Sequence, residues 1–224
     1  MKLLQGFNYL FGWFFNSKKT YINHSLLYLN RSREIDRNYM DYIRIASIEL
    51  MAEEINSKKL VGSVAELGVY KGKFARYINK YFSDRKLFLF DTFEGFDTKD
   101  SKIELESKFS DAKQDFSNTS VNEVLNRMPF PDQCVIKKGY FPQTAEGLNE
   151  NFVFVSIDAD LYDPIYSGLN FFYPKLVKGG CVFIHDYNND LYKGAKAAVK
   201  KFCEENGVNV FPLPDAAGTA ILVK

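Results

Sequence analysis

The sequence predicts an α/β fold: a mostly parallel sheet covered by helices on both faces and ending in an antiparallel hairpin. Three observations carry this reading. Apolar, β-prone runs alternate with helical patterns, as in a sheet buried on both sides. Chemically distinctive residues stand directly after those runs, where open α/β sheets bind ligands. The last two β-prone runs, Val208 to Phe211 and Thr219 to Val223, are joined through Pro212-Leu213-Pro214-Asp215, and no helix fits between them. They should therefore pair antiparallel.

Composition agrees. The chain has 224 residues, 46% hydrophobic and 25% charged, which excludes bulk disorder and allows one sizeable core. Lys plus Arg number 29 and Asp plus Glu 28, so no excess of positive charge points to nucleic acid. The three cysteines, Cys134, Cys181 and Cys203, show neither zinc spacing nor a disulfide framework. They fit a reducing cytoplasm, the expected location.

Taken in order, Leu3 to Phe15 is apolar and aromatic, too short to span a bilayer, and followed by no small-residue cleavage site. It is expected to pack on the body or a second subunit, or to touch a membrane surface with Trp13, Phe14 and Phe15. His24 is read as surface. From Asp36 to Asn56 the pattern is helical. Residues 1–60 are thus expected to be an N-terminal helical extension, and 61–224 the main domain.

Ser63 to Val69 reads as a buried strand meeting a glycine turn, Lys73 to Phe82 as a helix, and Lys86 to Asp91 as a second strand. The polar stretch 97–131 reads as a lid-like helical insertion. Gln133 to Lys137 and Phe152 to Ile157 are the third and fourth strands. Pro164 to Tyr173 is a helix with proline in its first turn and Asp163 as its cap. A fifth strand, Gly180 to Ile184, is entered through Gly179-Gly180, and Tyr192 to Glu205 is the last helix.

The first strand ends in Glu66-Leu67-Gly68-Val69-Tyr70-Lys71-Gly72. Its glycines let a ligand approach the backbone, but the GxGxxG spacing of a pyrophosphate site is missing. A cofactor without phosphate, such as S-adenosylmethionine, suits this loop better. Asp91 follows the second strand, about 20 residues on, where a carboxylate can accept both ribose hydroxyls. Thr92 and Phe93 continue from it, and aromatics of that run can flank an adenine. Glu66, Gly68, Tyr70, Gly72, Asp91, Thr92 and Phe93 are the candidate cofactor set. After the fourth strand come Asp158, Asp160 and Asp163, and after the fifth His185-Asp186-Tyr187. Neighbouring parallel strands bring Asp158 and Asp186 together. Clustered carboxylates repel unless a cation sits between them, and hard oxygen donors suit Mg²⁺.

These motifs, together with Gly139-Tyr140-Phe141-Pro142-Gln143-Thr144, stand in the order of the macrocin O-methyltransferase family, which the chain resembles from about Tyr39 onward. The resemblance implies a Rossmann-like class I methyltransferase fold that uses S-adenosylmethionine and Mg²⁺ to methylate sugar hydroxyls. It implies cofactor roles for Glu66, Gly68 and Asp91, and metal or base roles for Asp158 and Asp186. Many relatives carry Asp-Asp-Tyr where this chain has His185-Asp186-Tyr187, so one carboxylate of the ligand set is replaced. The catalytic candidates are Asp158, as base, and His185, as ligand or base, with a structural core histidine as the alternative. The alternatives are a nicotinamide-dependent oxidoreductase, against which the glycine spacing argues, and a non-catalytic scaffold, against which the retained acids argue. A sugar acceptor is the expected partner, with a homo-oligomer possible through the aromatic N-terminus.

Overall fold

The structure, a computed structural model, describes residues 41–224. The Leu3–Phe15 segment, His24 and the first 40 residues of the expected extension lie outside them. The described residues fall in one compact unit. The helix α1, Tyr42–Ser57, packs on the sheet through Ile48, Ala52 and Ile55. The Asp41 carboxylate caps this helix, accepting from the Ile43 and Arg44 amides at 2.7 and 3.4 Å. Its inner stripe is Arg44, Ile48, Ala52 and Ile55, at helical spacing.

Seven strands form one sheet: β1 (Ser63–Leu67), β2 (Leu87–Asp91), β3 (Cys134–Lys138), β4 (Phe152–Ile157), β5 (Leu176–Ile184), β6 (Phe211–Pro212) and β7 (Ala220–Val223). Their order is β3-β2-β1-β4-β5-β7-β6, parallel from β3 to β5, with β7 antiparallel to both neighbours. Strand order reverses between β1 and β4, the switch point at which such sheets open a crevice. The closing hairpin is shorter than the sequence pattern suggests, because β6 keeps only two residues.

Alternate side chains enter two cores. Ala65, Leu67, Phe88, Phe90, Val155 and Ile157 face α5 (Tyr162–Lys175) and α6 (Lys193–Asn206). Val64, Leu87, Leu89 and Phe154 face α1 and α2 (Ala75–Tyr81). Both faces are apolar, so the inner strands are buried throughout.

Two local expectations change. Asp163 does not cap α5; Leu161 holds that position and Asp163 lies in the first turn, where a negative charge meets the helix N-terminus. Gly179 and Gly180 lie inside β5, which begins at Leu176. A Cβ on Gly180 would sit 2.9 Å from the Val153 carbonyl oxygen, beside a break in the β4–β5 register. The insertion 97–131 holds two helices, α3 (Thr98–Glu106) and α4 (Val121–Arg127). It is fastened to the body by Glu104, which is fully buried. One Glu104 oxygen accepts the Tyr162 amide at the start of α5, and the other the Ser110 hydroxyl, each at 2.7 Å. Gly194 makes room for this carboxylate, since a Cβ there would stand 2.3 Å from Glu104 Oε1.

Candidate active site

A cavity of about 390 Å³ opens at the carboxyl ends of β1, β2, β4 and β5. Gly68 is decisive for its floor. It has φ +83°, and a Cβ there would meet the Asp158 carbonyl oxygen at 2.1 Å. Glycine is required here by the approach of β4 to β1 rather than by a ligand. The loop then turns back through Tyr70 at φ +48°. Phe93, Asp160 and Asp186 also adopt left-handed backbone, at φ +57°, +58° and +59°. Non-glycine residues in this region cost energy and concentrate at functional sites.

Asp91 is cradled by backbone. Its Oδ2 accepts the Val69 and Tyr70 amides at 2.7 and 2.8 Å, and its Oδ1 accepts the Phe93 amide at 2.6 Å. The carboxylate thus locks the β1 loop to the β2 loop. Its lone-pair capacity of about four leaves room for a ligand hydroxyl. Thr92 borders the cavity, its hydroxyl bonded to the Gly95 carbonyl at 2.7 Å. Two candidates lie away from the cavity. The Phe93 ring is buried in the core with Ile78 and Val69, and Gly72 packs against Met128 and Val124 of the insertion. The aromatic wall comes instead from Tyr70, Phe96, Phe116 and Tyr192, with Tyr70–Phe116 and Phe96–Phe116 ring centroids 5.0 and 5.1 Å apart.

Glu66 is 1% exposed, and its Oε2 has no partner. Burial raises its carboxyl well above the usual range, and the nearby Asp158 charge adds to this. On the insertion, Asp100 borders the same cavity and accepts the Tyr140 hydroxyl at 2.6 Å. Burial pushes its carboxyl up to about 6.

The β4–β5 edge holds the cluster anticipated from sequence, and more. Nδ1 of His185 lies 3.0 Å from Asp158 Oδ1 and 3.0 Å from Asp186 Oδ2. These three donors fall within 4.8 Å of one another, a spacing able to hold a metal ion. The far oxygens are anchored separately. Asp158 Oδ2 accepts both Arg44 terminal nitrogens at 3.0 Å, and Asp186 Oδ1 accepts the Asn189 amide at 2.7 Å. Burial alone would raise the Asp158 carboxyl, but the His185 and Arg44 charges outweigh it and hold it well below the usual range. Burial opposes the charged imidazole, yet Asp158 and Asp186 push His185 up to about 10. Burial, with the charges of Asp186 and Asp158, raises Asp160.

Sequence reasoning therefore found Asp158, His185 and Asp186 but missed Arg44. This arginine is 3% exposed and lies 3.8 Å above the Phe74 ring. Its signal was present: position 44 falls on the stripe 44, 48, 52, 55, a charge on a buried face.

A sequence profile described as macrocin-O-methyltransferase (TylF) matches residues 37–222. No curated protein matches the chain in sequence. Among solved structures, the O-methyltransferase NovP is 20% identical with TM-score 0.63, over 81% of this chain and 79% of that one. The calicheamicin methyltransferase CalS11 is likewise 20% identical, with TM-score 0.64, over 80% and 78%. An apo structure of CalS11, described as a TDP-rhamnose 3'-O-methyltransferase, is 19% identical with TM-score 0.51, over 80% and 79%. At such identities these likenesses speak to the fold.

Proposed function

The chain belongs to the macrocin-O-methyltransferase family and is an S-adenosylmethionine-dependent O-methyltransferase, and from that premise we propose that it methylates a sugar hydroxyl with a divalent cation held at the β4–β5 edge. The carrying observation is one cavity with an amide-cradled Asp91 at one end and the Asp158–His185–Asp186 cluster at the other. Asp91 binds the ribose of the cofactor, and the aromatic wall shields its base. Asp91, Asp158 and Asp186 all border the cavity, which favours a positively charged sulfonium ligand. Lys71 and Lys73 also border it and can meet the phosphates of a nucleotide sugar. The structural neighbour CalS11, a TDP-rhamnose 3'-O-methyltransferase, supports such an acceptor class.

Methyl transfer is an in-line displacement at carbon, and alignment of donor and acceptor supplies up to about 7–11 kcal/mol of the barrier. The aromatic wall and the insertion hold the acceptor oxygen toward the methyl group. With the Arg44 guanidinium beside it, Asp158 is a weak base, so the acceptor hydroxyl must itself be made more acidic. A divalent cation supplies that acidification when bound. The donor set fits one: Asp158 Oδ1, His185 Nδ1 and Asp186 Oδ2 converge while Arg44 and Asn189 fix the far oxygens. Asp158, the candidate base, would accept the proton that the hydroxyl gives up as its oxygen takes the methyl group, and the insertion excludes water.

The three unpaired cysteines support a cytoplasmic location. The purified chain should turn over isotopically labelled S-adenosylmethionine with at least one member of a nucleotide-sugar and glycan panel. Failure to bind S-adenosylmethionine or S-adenosylhomocysteine by calorimetry, with NADH bound instead, would return the reading to the oxidoreductase alternative.

A further inference from the structure

Resting on the cation reading just given, we propose that His185 makes this a mixed nitrogen–oxygen centre that favours Mn²⁺ and similar first-row transition ions over Mg²⁺. Each flanking aspartate has one oxygen tied back, Asp158 Oδ2 by Arg44 and Asp186 Oδ1 by Asn189. One oxygen of each is left facing His185 Nδ1, at 3.0 Å. In an octahedron with bonds of about 2.1 Å, neighbouring donors stand about 3.0 Å apart. Once a cation displaces its proton, the imidazole nitrogen would stand at a ligand's spacing from both carboxylates.

Two physical arguments turn that geometry into a preference. Mg²⁺ is a hard ion that takes oxygen donors and parts reluctantly with water, whereas imidazole suits transition ions, whose affinity rises along the first row. The second concerns charge. A neutral nitrogen brings no negative charge to the donor set, and the Arg44 guanidinium offsets the charge of Asp158. A hard ion held by charge alone loses most from this, while a metal–nitrogen bond keeps its strength. The variant His185→Asp would give an all-oxygen set at the same position.

The test uses the metal ions as probes and requires no turnover. Mn²⁺ and Mg²⁺ are titrated separately into the full chain by calorimetry, and the Mn²⁺ complex is examined by pulsed electron paramagnetic resonance for nitrogen coupling. Wild type should show directly bound nitrogen. Its preference for Mn²⁺ over Mg²⁺ should exceed that of His185→Asp by about tenfold or more, the scale on which ligand shells tune affinity. His185→Asp should lose the nitrogen signal. A Mn²⁺ complex without nitrogen coupling, an unchanged preference in a folded His185→Asp, or binding of neither ion would overturn the proposal. If His185→Asp does not fold, the wild-type nitrogen signal alone decides. S-adenosylhomocysteine binding, measured in parallel, separates this failure from failure of the methyltransferase reading, because Asp91 and the β1 loop hold that ligand without His185.

Discussion

At the ends of β1 and β2 an acid is held by backbone; at the ends of β4 and β5 acids are held by side chains. Asp91 takes three amides from residues 69, 70 and 93, all within the two loops that it joins. Asp158 takes Arg44 from a helix 114 positions earlier in the chain and His185 from the next strand. A backbone cradle is preorganised once the turn forms. A side-chain cluster exists only after distant elements have packed, and each partner's loss leaves a charge stranded. The first edge suits a cofactor common to many reactions, and the second can be retuned one residue at a time.

The largest expected effect breaks the side-chain edge. Arg44→Ala strips a buried cation from Asp158, and removal of one partner of a buried pair costs about 3–5 kcal/mol. Denaturant unfolding should show a loss in that range, together with collapse of methyl transfer. A loss below about 1 kcal/mol would mean that the pair is solvated like a surface contact, against its burial.

The backbone edge should respond less. Asp91→Ala should weaken S-adenosylhomocysteine binding by about 1.5–3 kcal/mol, the scale of hydrogen bonds to a charged group, or roughly 10- to 150-fold. Asp91→Asn keeps one acceptor oxygen and should fall between. Calorimetry measures both, and unchanged affinity in Asp91→Ala would remove the carboxylate from the cofactor's reach.

The smallest effect concerns Asp100, between the two edges. Its folded pKa of about 6 lies above the unfolded value near 4. The stability that it contributes is therefore full below pH 4 and is lost as pH rises through 6. The shift corresponds to about 1–2 kcal/mol after allowance for partial solvation. Asp100→Asn cannot ionise, so stability relative to wild type should rise by that amount between pH 4 and pH 7. Thermal or urea unfolding at both pH values checks it; a pH-independent difference would place the Asp100 carboxyl in water.

Strand alternation, the closing hairpin, Asp91 and the Asp158–Asp186 pair were legible without coordinates. Each follows from local rules, since alternating periods determine elements and parallel strands present their carboxyl ends together. The glycine loop was located correctly, but its cause was not. Gly68 is small because β4 passes within contact distance, a fact that belongs to strand order. Phe93 looked like a ligand contact because it follows Asp91, yet its backbone turns through φ +57° and carries the ring into the core.

The sequence by itself determined the sheet, its polarity and the edge at which chemistry collects, because periodicity and turn chemistry act over a few residues. Only the tertiary structure decided which charges meet. Arg44 against Asp158, Glu104 against the start of α5 and Asp100 against Tyr140 each join residues at least 40 positions apart. Nothing in the local pattern selects those partners. Burial selects them, because a charge removed from water must find a partner within about 3 Å or lose its ionisation.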